Sequence, residues 1–327
     1  MPLSLRRGTV TAIDDQHEEL VRLRVDDEPC IAYPRLTGAV AVGDDVLVND
    51  QARALELGSG GFDVLYANLT RGLGLVADAN AHVMTLPYTP LQAAVRYGEE
   101  DVELARGLGG MPVVCCTVHS QVVPACAALA GLRVAYVQVA GGALPVSLSD
   151  AVRALRGRGL VDVAIASAPC VDGDVQCVNV DSALAVARAR GADVAVCSVG
   201  PGLVGTGTPL GHGAVAAVHS ADAASALGGA AVLAVRVSER DERARHQGAS
   251  HHARTVLELS LGEVTAAWPA GVEAPPWLEP RTEVDASGWR GACAELPLSF
   301  MGRGPDEEPQ FFAAAYAAGL VARARVR

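Results

Sequence analysis

From residue 111 onward the chain repeats one pattern, in which a short apolar segment is followed by a loop and then by an alanine-rich helical segment. The apolar segments are rich in Val, Ala and Cys, as expected for strands that are buried on both faces. Strands separated by helices of this length favour right-handed crossovers and a mostly parallel sheet. We therefore predict a Rossmann-like α/β domain over residues 111–270, with strands at 112–118, 132–139, 161–167, 193–199, 231–237 and 263–268.

The N-terminal part of the chain follows a different pattern. Residues 7–50 contain short alternating segments separated by Asp, Gly and Pro, which predicts a small β-barrel-like domain at residues 1–60. An edge sheet belonging to the main domain is the alternative. Residues 61–110 are predicted to form a connecting strand and a helix that begins near Pro90. Residues 271–327 are predicted to be a linker and C-terminal helices that pack on the α/β domain.

Composition excludes several classes of function. All 26 basic residues are arginine, which excludes a lysine Schiff base, a lysine general base and a P-loop lysine. The net charge of −11 argues against a broad surface for nucleic acid or anionic membranes. The eight cysteines form no Cys-x-x-Cys pair, which indicates reduced core residues in a cytoplasmic protein. We find no signal peptide and no apolar segment of membrane-spanning length, so no membrane association is expected.

The densest group of ionisable side chains lies between residues 236 and 252, directly after the fifth predicted strand. Loops that follow parallel strands open at one edge of the sheet, and ligands bind there. Residues 118–121 and 199–213 follow two other predicted strands. We therefore expect this edge to bring together five histidines from distant positions in the sequence: His119, His212, His246, His251 and His252.

The segment 199–213 is rich in glycine and ends where a helix is predicted to begin. Glycine lets backbone amides approach an anion, and threonine hydroxyls can donate to it. The glycine spacing does not reproduce the dinucleotide-binding fingerprint, so a tight strand-to-helix crossing is an equal alternative. The candidate ligand-binding residues of this segment are Gly200, Gly202, Gly205, Thr206, Gly207, Thr208 and His212.

The histidines allow two kinds of chemistry. Ser250 is predicted to cap a helix, which places the next two residues in its first turn, where the helix dipole favours neutral imidazole. A divalent metal ion is one hypothesis, with Asp241, His246, His251 and His252 as ligands. Acid–base catalysis by these residues and His119 is the other, with Arg236, Arg243 and Arg245 binding an anionic substrate. An arginine–carboxylate network that merely orders a long loop is the alternative to a functional site.

Several long strings resemble a known family. They are VHSQ at 118–121, VGPGLVGTGT at 199–208, RVSERDERARHQGASHH at 236–252, YTPLQ at 88–92 and MGRGPDEEPQFFAAAYAAG at 301–319. Together they resemble a bacterial family of unknown function, DUF3866, over nearly the full chain. The resemblance implies a bacterial cytosolic protein, but it brings no activity, substrate or catalytic residue with it.

The leading hypothesis is an enzyme that acts on a small anionic or phosphorylated metabolite. The alternatives are a non-catalytic regulatory protein that binds a nucleotide or metabolite, and a structural or assembly protein. The sequence leaves open whether the protein is an enzyme, whether a divalent metal is its cofactor and whether it forms a homo-oligomer. A small anionic ligand is the expected partner, and nucleic acid is not expected.

Overall fold

The structure is a computed structural model that describes residues 3–57, 60–76, 78–104 and 106–326. The chain divides into two compact units, Met1–Val95 and Arg96–Arg327. The domain boundary predicted at residue 60 therefore falls inside the first unit, next to residues 58 and 59, which lie outside the described part of the chain.

Five strands of the first unit form a closed barrel in the order β1-β2-β3-β5-β4. Their bounds are β1 Leu5–Gln16, β2 Val21–Val25, β3 Glu28–Ala32, β4 Asp45–Asn49 and β5 Asp63–Asn68, with short helices α1 Pro34–Thr37 and α2 Gln51–Ala54 between the later strands. The alternation in β2 buries Val21, Leu23 and Val25 in the barrel core. The predicted N-terminal β-barrel is confirmed, but it needs β5, which follows the predicted boundary.

The first unit ends in an antiparallel hairpin of β6, Val83–Thr85, and β7, Ala93–Val95. The helix predicted after Pro90 is therefore wrong. Leu86 and Tyr88 have positive φ angles of 48° and 61°, so the backbone turns before Pro90 and the following alanines pair with β6. Backbone pairing outweighs the helix propensity of a short alanine segment here.

The second unit contains an eight-stranded sheet in which all neighbouring strands are parallel, as predicted. The strands are β8 Pro112–Cys116, β9 Val134–Val139, β10 Val163–Ser167, β11 Val175–Cys177, β12 Val194–Val199, β13 Ala230–Ala234, β16 Val264–Pro269 and β17 Arg281–Val284. Their order is β11-β10-β9-β12-β8-β13-β16-β17. The six predicted strands form the interior of the sheet, and β11 and β17 are additional strands at its two edges.

Helices cover both faces of this sheet. The helices are α3 Val122–Ala127, α4 Asp150–Gly157, α5 Val180–Ala189, α6 Ala216–Ala226, α7 His251–Leu259, α8 Trp289–Ala292 and α9 Pro309–Arg323. Residues of α5, α6 and α7 pack with Val113 and Cys115 on one face, and residues of α3, α4 and α9 pack with Val114 and Cys116 on the other. A two-residue ladder of β14, Val237–Ser238, and β15, Gly248–Ala249, follows β13.

Small side chains allow these layers to approach closely. At Gly319 in α9, an added Cβ would lie 2.2 Å from the carbonyl oxygen of Ala125 in α3, so only glycine fits at this crossing. All eight cysteines are buried and free, as expected for small core residues. Within the described ranges, no helix combines the length and apolar character needed to cross a membrane.

Candidate functional site

The strand order explains why distant loops meet. β12 and β13 lie on either side of β8, so the loops that follow these three strands leave the same edge of the sheet side by side. Gln121 links two of the strand ends: its side-chain oxygen accepts from the Thr117 amide at 2.8 Å, and its nitrogen donates to the Ala234 carbonyl at 2.8 Å. The edge that carries the site is therefore held by a buried side chain.

The loop after β13 is shaped as a hairpin. β14 and β15 pair antiparallel, and Ser250 then begins α7 by accepting a hydrogen bond from the His252 amide, as the sequence predicts for a helix cap. His246 lies in a single 3₁₀ turn, Ala244–His246, inside the hairpin. The hairpin and the cap together place His246, His251 and His252 on the same side of the loop.

Four histidine rings form one cluster, which we call the histidine cluster: His212, His246, His251 and His252. The rings of His212 and His252 stack with centroids 4.1 Å apart, and His251 lies 4.5 Å from His252 and 5.2 Å from His212. The ring of His246 is 4.8 Å from each of His251 and His252. His212 reaches the cluster from the glycine-rich loop, so two loops contribute to it.

The ring nitrogens of the cluster differ in their partners. Nε2 of His212 donates to the Pro209 carbonyl at 2.9 Å, and Nδ1 of His246 lies 2.7 Å from the Ser250 hydroxyl. Nδ1 of His212 and Nδ1 of His252 are buried and have no hydrogen-bond partner among the described residues. Buried polar nitrogens without a partner are rare in folded proteins, so each of these two calls for a partner such as a water molecule or an ion.

Burial and nearby arginines keep these imidazoles neutral. Burial, followed by the charges of Arg236 and Arg243, lowers the pKa of His246 to about 3. Burial and the neighbouring His212 lower the pKa of His252 to about 2, and burial also lowers the pKa of His212 and His251. A neutral imidazole carries one nitrogen lone pair, which can bind a metal ion or accept a proton.

A buried ion pair lies beside the histidine cluster. Arg236 donates to Asp241 at 2.8 Å, and their side chains are only 4% and 3% exposed. Arg243 binds the same carboxylate at 2.8 Å from the solvent side. Burial alone would raise the pKa of Asp241, but the hydrogen bonds and charges of Arg243 and Arg236 hold it far below its usual range. Asp241 therefore remains an anion that neutralises arginine charge, and its carboxylate is bonded to both guanidinium groups.

The C-terminal segment covers this ion pair. The guanidinium of Arg236 lies 5.1 Å from the centre of the Phe300 ring, within range of a cation–π interaction. Ser238 donates to Glu308 at 2.7 Å, and Glu308 in turn accepts from Arg303 at 2.8 Å. The residue before α9 is thus bonded to the loop that carries the histidine cluster.

An open cavity of about 140 Å³ lies over the histidine cluster. Among the described residues that line it, none is a carboxylate: Leu203, Gly205, Gly207, Thr208, His212, Arg236, Arg243, Arg245, His246, His251 and His252. Arg245 is exposed and forms no ion pair with any carboxylate that the structure describes. A cavity with this lining is electropositive in a protein whose net charge is −11.

The glycine-rich loop contributes only in part. Gly205, Gly207 and Thr208 line the cavity, whereas Gly200, Gly202 and Thr206 do not. Gly200 instead packs against the Ala143 carbonyl, and the Thr206 hydroxyl is bonded to Gly211 at 3.1 Å. Much of the loop is therefore satisfied by its own hydrogen bonds, in agreement with the tight-crossing alternative.

The structure places His119 away from the cavity. Its Nδ1 lies 3.0 Å from the Val199 carbonyl, and its Nε2 lies 2.6 Å from the Ser149 hydroxyl. Because a carbonyl only accepts, Nδ1 carries the proton and Nε2 accepts from Ser149. Both ring nitrogens are used structurally, and His119 is absent from the cavity lining.

Among the other predicted site residues, those that line one cavity outside the glycine and threonine positions are Arg236, Arg243, Arg245, His212, His246, His251 and His252. His212 was predicted to bind a ligand through the glycine-rich loop, but its ring stacks on His252 inside the histidine cluster. Phe300 and Glu308, which contact Arg236 and Ser238, are not among the predicted site residues, although the sequence allows the C-terminal segment to cover the site. The string MGRGPDEEPQ is polar and glycine-rich, and only its neighbouring aromatic residues signal that it packs against another part of the chain.

The fold and the site define an α/β protein with a histidine–arginine cavity at the carboxyl edge of a parallel sheet. Residues 29–319 match the model of a family described as "Protein of unknown function (DUF3866)", and the chain belongs to this family. A comparison with curated proteins gave no match.

Proposed function

We propose that the protein is an enzyme that acts on a small anionic substrate, such as a phosphorylated metabolite, bound in the cavity over the histidine cluster. One observation carries this proposal: three arginines and no carboxylate occur among the described residues that line the cavity. Guanidinium groups are well suited to phosphate and carboxylate because they offer paired donors in one plane.

The three arginines contribute unequally. Arg236 and Arg243 share the charge of Asp241, so together they leave about one positive charge uncompensated. Arg245 adds a second charge and stands at the mouth of the cavity near Gly207, 3.6 Å from the position that a Cβ would occupy there. The volume of about 140 Å³ is well below that of cavities that bury drug-sized ligands, which favours a small ligand.

The histidine cluster supplies the chemistry beside the anion site. Imidazole is the side chain that serves most often in proton transfer and in metal binding. Loops at the carboxyl edge of a parallel sheet are also where enzymes of this architecture place reactive groups. An anion held by Arg245 would therefore lie next to His251 and His252, which line the same cavity.

We also propose a cytoplasmic location in a bacterium. Eight buried free thiols support this location, because oxidising compartments favour disulfides. The net charge of −11 supports a small-molecule partner over nucleic acid.

The proposal is tested by substituting Arg245. We expect Arg245→Gln to weaken binding of inorganic phosphate or a phosphorylated metabolite by about 10–100-fold, because a hydrogen bond to a charged group contributes about 1.5–3 kcal/mol. Thermal shift against a panel of phosphorylated and carboxylated metabolites would identify the ligand, and turnover of each hit would then be assayed.

Arg254→Gln is the matched control, since Arg254 is exposed on α7 and paired with Glu258 at 2.7 Å. It should leave ligand binding unchanged. Equal loss of binding in both variants, or no anion binding by the wild type, would refute the anion site. Binding without turnover of any hit would replace the enzyme by a regulatory ligand-binding protein.

A further inference from the structure

We propose that His212, His251 and His252 form a binding site for a divalent transition-metal ion, and we name Zn²⁺ as the ion to test. Each imidazole offers one nitrogen, and the three nitrogens lie within 4.8 Å of one another. Imidazole nitrogen is a preferred ligand of Zn²⁺, and three protein ligands with an open fourth position are typical of catalytic zinc sites.

Two unpartnered nitrogens point to a ligand independently of this spacing. Nδ1 of His212 and Nδ1 of His252 are buried without a hydrogen-bond partner among the described residues. Both residues are at least nine-tenths buried, since His212 is 9% exposed and His252 is 4% exposed. A metal ion bound to these two nitrogens would give each of them a partner.

The tautomer of His212 is already the one that a metal requires. Its Nε2 faces the Pro209 carbonyl at 2.9 Å and must carry the proton, because a carbonyl has no hydrogen to donate. Nδ1 therefore keeps its lone pair. Metal-binding histidines commonly donate their other N–H to a backbone carbonyl, and this contact fixes the ring as a ligand.

The cluster must contract slightly when the ion binds. Tetrahedral Zn²⁺ with bonds of about 2.0–2.1 Å separates its ligand nitrogens by about 3.3 Å. The separation of up to 4.8 Å in the structure thus calls for a movement of about 1.5 Å. His251 is only half-buried and stands at the start of α7, so it has the most room to move.

Charge links this site to the proposed function, on which this part of the inference rests. Three imidazoles add no negative charge, and Asp241 is already bonded to Arg236 and Arg243. A bound dication would therefore make the cavity still more positive and would favour an anionic substrate or hydroxide in its open position. By reciprocal linkage, an anion in the cavity should in turn tighten metal binding.

The direct test measures Zn²⁺ binding to the full chain purified without a histidine tag. Elemental analysis and titration against a chromophoric chelator should give one Zn²⁺ per chain. We expect His212→Gln and His252→Gln each to weaken Zn²⁺ binding by at least about tenfold. His219→Gln is the control, because His219 is exposed on α6 and does not line the cavity, and it should bind Zn²⁺ as the wild type does.

Circular dichroism of each variant separates loss of the site from loss of the fold. If a variant unfolds, Co²⁺ absorption of the wild type provides the second measurement, since nitrogen ligands in four-coordinate geometry give a far stronger visible band than aqueous Co²⁺. Absence of stoichiometric metal in the wild type, or Zn²⁺ affinity unchanged in folded His212→Gln and His252→Gln, would overturn the inference.

A final measurement distinguishes failure of the metal site from failure of the proposed function. Zn²⁺ is titrated in a chelator-buffered solution with and without inorganic phosphate, using wild type and Arg245→Gln. Tighter Zn²⁺ binding with phosphate in the wild type alone supports both proposals. Zn²⁺ binding without any phosphate binding supports the metal site and refutes the anion site, whereas phosphate binding without any Zn²⁺ binding overturns the metal site alone.

Discussion

Replacing Asp241 by asparagine should strongly destabilise the α/β unit. The substitution keeps the size of the side chain but leaves Arg236, whose side chain is 4% exposed, without a counter-charge. Removing one partner of a buried ion pair costs about 3–5 kcal/mol, and the Phe300 ring that remains 5.1 Å from the guanidinium offsets part of this cost. We therefore expect Asp241→Asn to lower the free energy of unfolding by about 3 kcal/mol, which for a unit of this size lowers Tm by about 6–12 °C.

Tryptophan fluorescence is a suitable assay because Trp268, Trp277 and Trp289 all lie in the α/β unit, and these are the three tryptophans of the chain. Glu258→Gln is the control: it removes an ion pair with Arg254 in which both side chains are more than half exposed, at 59% and 56%. Such a pair contributes about 0.3–0.5 kcal/mol. If Asp241→Asn and Glu258→Gln lower the free energy of unfolding by similar amounts, burial is not what makes the ion pair between Asp241 and Arg236 stabilising.

Two further substitutions test other parts of the fold. Burial lowers the pKa of His119 to about 4, below its ordinary value of 6.5. As the pH falls from 6.5 to 4, the imidazole of His119 is therefore protonated in the unfolded chain but not in the folded protein. In urea titrations, the free energy of unfolding of the wild type should therefore fall relative to that of His119→Asn by up to about 3 kcal/mol between pH 6.5 and 4. A difference between the two proteins that does not change with pH would contradict the lowered pKa of His119. Gly213→Ala should destabilise the protein by about 1–3 kcal/mol, because its Cβ would lie 2.0 Å from the Gly141 carbonyl oxygen. Gly157→Ala is the control, with no atom within 4 Å of the new Cβ, and equal effects in thermal unfolding would show that the Gly141 contact is unimportant.

The interior of the sheet could be predicted from the sequence because its strands are continuous apolar segments separated by helices. The edge strands could not. β17 reads Arg-Thr-Glu-Val and has no fully buried residue, and β11 has only three residues, so neither carries the apolar signal of a buried strand. Both depend on backbone pairing with a neighbour that is already in place.

The candidate site was predictable to the level of its loops. The parallel sheet predicts that the three loops meet at one edge, and the local sequence predicts that Ser250 caps a helix. The direction in which each side chain points at the end of a strand cannot be predicted in this way. His119 turns toward Val199 and Ser149, whereas His212, from a different loop, stacks on His252, and these directions are set by turn conformation and packing.

The bond between Ser238 and Glu308 has a consequence for the order in which the protein can mature on the ribosome. The loop that carries the histidine cluster is synthesised about 70 residues before Glu308, its partner at the start of α9. Phe300, which lies over Arg236, follows that arginine by 64 residues. The sheet edge can therefore form while translation continues, but the cavity gains its final shape only after α9 has emerged and docked.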